Sequence, residues 1–84
     1  MVIKDKNFIR GRGLVVTGEA DPDEFHVNDQ ITIYDGENVV DTGIVAGIER
    51  TYLCIDPLKI DPNVGLVLKY TDYDLLKPGM ILKK

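Results

Sequence analysis

Apolar and polar residues alternate in short runs along most of this chain, with a period of two and never one of three or four. Leu14-Val15-Val16-Thr17 is a β-branched run between Gly13 and Gly18, as expected of a strand bounded by turn residues. Gln30-Ile31-Thr32-Ile33-Tyr34 alternates strictly, the pattern of a half-buried strand. Asp35-Gly36 follows at once and predicts a tight hairpin. The return strand opens at Val39-Val40 and runs through Ile48; Gly43 and Gly47 within it predict bulges or bends. Tyr52, Leu53 and Ile55 continue the pattern as far as Pro57, and a loop bounded by Pro57 and Pro62 follows. Val64 to Leu68 and Met80 to Leu82 are further strands, the second entered through the turn Lys77-Pro78-Gly79. Asp21-Pro22-Asp23 marks a turn. Thr71 to Leu76 has room for one helical turn, capped by Thr71 or Asp72. No stretch of ten residues has a helical period. Short strands with turns every 8–12 residues or so predict an all-β barrel or sandwich in a single domain spanning 1–84.

With 84 residues, a domain buries only about 60–65% of the surface its unfolded chain exposes. The core must rest on Val, Ile and Leu, because Trp is absent. One cysteine, Cys54, excludes an internal disulfide and fits a reducing, cytoplasmic setting. No segment reads as a secretory signal, and no apolar run is long enough for a membrane-spanning helix. The net charge of -4 and the scattered Lys and Arg argue against binding driven mainly by phosphate contacts.

Five segments, in order, carry a family resemblance. Gly11-Arg12-Gly13-Leu14-Val15-Val16-Thr17-Gly18 resembles the opening strand of the second domain of elongation factor Tu and related translational GTPases. Phe25 to Ile33 resembles the turn and strand that follow there, with Asn28 in place of the usual Gly; both residues tolerate a positive φ. Thr42-Gly43-Ile44 is similar to the family's Thr-Gly-Val, Asn63 to Leu68 to its Asn-Val-Gly strand, and Leu76 to Leu82 to its closing strand. The matches cover about residues 8–82. The resemblance implies a small closed antiparallel β-barrel, here free-standing, and gives Gly18, Gly43, Gly65 and Gly79 an architectural role.

The resemblance does not bring the family's chemistry with it. Gly13 to Gly18 matches the spacing of the first part of a phosphate loop, but Glu19 and Ala20 stand where Lys and Ser or Thr are needed, so no GTP site is expected. Members hold aminoacyl-tRNA with acidic and aromatic residues just after Thr-Gly-Val. Here those positions are Val45-Ala46-Gly47-Ile48, and only Glu49 and Arg50, slightly later, offer partial substitutes. His26 lacks a metal or catalytic partner in the sequence, and Cys54 lacks a histidine to activate it. Asp21, Asp23 and Glu24 read as a solvated turn without the ligand spacing of a calcium loop. Asp56 and Asp61 carry no spacing that demands a catalytic pair. No enzyme activity, cofactor or metal is expected.

What remains is a binding module. Tyr70, Asp72, Tyr73 and Asp74 are the candidates for docking a protein partner or a second copy of the chain, since Tyr offers apolar area with a polar tip. An RNA- or ribosome-binding accessory is the alternative, with Arg10, Arg12, Arg50 and Lys69 as the candidate contacts.

Overall fold

The computed structural model describes residues 1–21, 23–50 and 63–84. Among these residues six strands form one antiparallel sheet: β1 (Ile3–Ile9), β2 (Gly13–Glu19), β3 (Gln30–Asp35), β4 (Asn38–Arg50), β5 (Asn63–Lys69) and β6 (Ile81–Lys83), in the order β1-β2-β5-β4-β3-β6. Among the described residues there is no α-helix; one short 3-10 turn, Tyr73–Leu75, precedes β6. The fold is therefore all-β. The strand expected at Tyr52 to Ile55, together with Cys54, Asp56 and Asp61, lies outside the described residues.

Alternation places the core. Ile31 and Ile33 of β3, Val64, Leu66 and Leu68 of β5, and Leu14 and Val16 of β2 point to one side and are buried together with Phe25, Leu76, Met80 and Leu82. Successive side chains of a strand face opposite ways, so the residues between them form the outer face.

β1 is the strand that the pattern did not predict. Its residues read Ile-Lys-Asp-Lys-Asn-Phe-Ile, and only Ile3 is buried. Position in the sheet overrides composition here. β1 pairs with β2 along its length, and the segment before it meets the segment that leads into β6. Val2 bridges Ile81. The Ile3 N–H donates to Met80 O at 2.8 Å and the Gly79 N–H to Ile3 O at 2.8 Å. The Leu82 N–H donates to Met1 O at 2.8 Å, and the Met1 nitrogen donates to Leu82 O at 2.8 Å. This seam satisfies backbone groups that would otherwise stand open at two sheet edges. Gly18 makes it possible: a Cβ there would run into the Val2 carbonyl.

β4 is long because it serves two partners, pairing with β3 through its first half and β5 through its second. An extra residue interrupts each ladder, Val40 against β3 and Ala46 against β5. Such bulges bend a strand and increase its twist. Asn28 takes a left-handed φ of 76°, and its N–H donates to Val45 O at 2.7 Å. Asn28 thus takes the left-handed conformation that this turn requires.

Candidate functional site

The segment leaving β5 carries the expected docking residues and treats them differently. Tyr70 has a left-handed φ of 65° and is 82% exposed. Asp72 caps the 3-10 turn: its carboxylate accepts the Asp74 N–H at 3.0 Å. The Asp72 N–H in turn donates to Asp41 Oδ2 at 2.8 Å. Tyr73 packs against the core, under the Lys6 ammonium 4.0 Å from its ring centroid. Lys6 also donates to the Tyr73 carbonyl at 2.7 Å. Asp74 is exposed. Tyr73 is thus taken up by the core and Lys6, leaving Tyr70, Asp72 and Asp74 as the exposed candidates. Asp72 and Tyr73 build the turn, whereas Tyr70 stands apart from it.

Thr71 fixes where Tyr70 stands. Its hydroxyl donates to Thr42 O at 3.0 Å, and Gly43 has no side chain to obstruct it, since a Cβ there would collide with Thr71 Oγ1. Tyr70 is thereby placed at the rim of a groove of about 370 Å³. Thr32, Thr42, Gln30 and Ile44 form its walls, with the backbone of Ile31 and Gly43 between them. Cross-strand pairing explains the arrangement. Gln30 lies opposite Ile44, and Ile44 opposite Lys69; in the next row Thr42 lies opposite Thr32, and Thr32 opposite Lys83. Directly paired residues share a face, so Lys69 and Lys83 stand at diagonal corners of the groove.

A third row on the same face is apolar. Val39 pairs with Tyr34, Tyr34 with Ile81, and Ile81 with Val2. Val39 is 61% and Val2 52% exposed; Tyr34 and Ile81 are half-buried. The Lys83 ammonium lies 5.8 Å from the Tyr34 ring centroid.

No family model matches the chain.

Three of the four basic candidates share one end of the sheet, and Arg50 does not. Arg10 and Arg12 lie in the turn between β1 and β2, at the same end of the sheet as Lys69, because Leu14 pairs with Leu68. Arg50 lies at the far end of β4, opposite Val64. Arg12 is ion-paired to Glu49, which withdraws part of its charge from any phosphate. His26 is exposed, and its N–H donates to Asp29 Oδ2 at 2.7 Å. That bond, followed by the nearby Lys84 ammonium at 3.2 Å, holds the Asp29 carboxyl below its ordinary pKa.

Sequence reasoning singled out Tyr70 but not the groove walls or the apolar row. Every wall residue sits at an outward position of an alternating strand, so the signal was present. Val40 obscured it. A regular hairpin from Asp35-Gly36 would set Thr32 against Asp41, whereas the extra residue sets it against Thr42.

Proposed function

We propose that this chain is a non-catalytic β-barrel module, similar to the second domain of elongation factor Tu, that docks onto a protein partner or a second copy of itself. The single observation that carries the docking role is the apolar row Val2–Ile81–Tyr34–Val39 on the outer face. Exposed apolar side chains scattered singly are ordinary; a contiguous row of them marks an interaction surface. The barrel reading is supported by the backbone bonds of Met1 and Ile3 to Met80, Leu82 and Gly79, which join the start of β1 to the segment entering β6. The five ordered motif resemblances support its relation to translation factors, and the lone Cys54 supports a cytoplasmic setting.

Light scattering behind size-exclusion chromatography, together with capture of partners from the source cell, tests the reading. Wild type is expected to self-associate or to retain a discrete protein. Val39→Lys, placed on an exposed strand position, is expected to abolish that association while leaving the circular dichroism spectrum unchanged. A strictly monomeric wild type that captures nothing refutes the docking role.

A further inference from the structure

We propose that the groove between β3 and β4, rimmed by Tyr70, binds the base of a nucleoside phosphate, either as a free nucleotide or as part of a single strand. The proposal goes beyond the docking reading, uses different rows of the outer face, and stands or falls separately from it.

Three observations carry it. The first is Tyr70. A bulky residue with φ of 65° is a conformational outlier that Gly would relieve. Yet the ring is 82% exposed and contributes nothing to the core. Strain of this kind, held by the Thr71 hydroxyl bond to the Thr42 carbonyl, keeps an aromatic face at the groove.

The second is the lining. Gln30 offers an amide that both donates and accepts, and Thr32 and Thr42 offer hydroxyls, while Ile44 supplies an apolar wall. Among the described residues, no charged side chain lines the groove. The carboxylates adjoining it are already engaged, Asp29 by the His26 N–H and Lys84, and Asp41 by the backbone N–H groups of Thr42 and Asp72. A neutral hydrogen-bonding wall beside an aromatic platform suits a planar heterocycle with donors and acceptors on its edge. The volume of about 370 Å³ lies within the range of small-ligand sites.

The third is the pair of lysines. Lys69 and Lys83 are exposed and pair directly with Ile44 and Thr32 of the two rows, so each long side chain can swing its ammonium to a phosphate attached to a seated base; Lys83 does so by leaving the Tyr34 ring, 5.8 Å from its ammonium. Stacking and neutral hydrogen bonds dominate such a site, which is how an acidic protein can hold a nucleotide.

Nitrogen-15 NMR titration of the whole chain tests this, using the four ribonucleoside monophosphates and, separately, a short single-stranded RNA. Amide shifts are expected at Gln30, Thr32, Thr42, Ile44 and Tyr70. A salt slope no steeper than about 1.4 is expected from two phosphate contacts. Tyr70→Phe should retain binding. Tyr70→Gly, which relieves the backbone and keeps the fold, should weaken it by roughly fivefold to a hundredfold. If the RNA binds more tightly than the monophosphates with the same footprint, the natural ligand is a single strand; equal affinity identifies a free nucleotide. The absence of groove shifts at millimolar concentration of every probe overturns the proposal. So does unchanged affinity in a folded Tyr70→Gly variant.

Discussion

The two hairpins of this sheet are built on opposite terms. In β3–β4 the inward residues Ile31 and Ile33 are nearly inaccessible, and the turn is a tight two-residue one at Gly36-Glu37, closed by Asp35 opposite Asn38. In β1–β2 the first strand buries only Ile3 and leaves Phe8 70% exposed. Side chains place the first hairpin. Backbone pairing and the seam with β6 place the outer strand of the second. The difference teaches that a strand can be specified from one of its ends, provided its neighbours already exist.

That contrast can be broken most forcefully at β3. Ile33→Ala should cost about 2–5 kcal/mol in chemical denaturation, since its side chain is wholly enclosed. Gly18→Ala attacks the other hairpin through its backbone. Its Cβ would meet the Val2 carbonyl, and overpacking of this kind costs about 1–3 kcal/mol. Hydrogen exchange should show the loss concentrated at Ile3, Gly79 and Leu82. A uniform loss across the sheet would mean that the seam does not hold β1.

Two smaller effects sharpen the comparison. Phe8→Ala, on the same strand, should change stability by less than about 0.5 kcal/mol, despite removing a large aromatic. The last test concerns Asp29, beside the first residue of β3. Its carboxyl lies below the ordinary value of 3.8 because the His26 N–H and then Lys84 favour the charged form. A depressed carboxyl stabilises the fold at pH above its unfolded value, and that contribution fades as pH falls through the folded value. Asp29→Asn should therefore flatten the acid limb of a stability–pH curve below about pH 4 and leave the curve above neutrality parallel to wild type.

The same contrast governs what could be read from the residues alone. Gln30 to Tyr34 alternate, and β3 was legible from them together with its hairpin. A cap at Thr71 or Asp72 was legible as well, and of the two it is Asp72 that caps the turn. β1 was not legible: Lys4, Asp5, Lys6 and Asn7 carry no periodic signal, and what fixes them is backbone pairing to β2 and the seam at Ile3. Tyr70 was legible as a candidate but not as distinct from Tyr73, since nothing local reveals that Lys6 covers one ring and not the other. The groove depended on the extra residue at Val40, and alternation alone does not locate a bulge.

The hydrogen bonds between Met1 and Leu82 also constrain how the chain acquires its shape. They close a loop of nearly the entire chain, with a sequence separation of 81. Contacts this remote form late, and sheets rich in them fold slowly. A circular permutant that links residue 84 to residue 1 and opens new ends between Gly36 and Glu37 would make the seam local and the β3–β4 pairing remote. Refolding after such a cut should begin from the seam hairpin, so that substitutions at Gly18 slow folding in the permutant but chiefly hasten unfolding in the natural order.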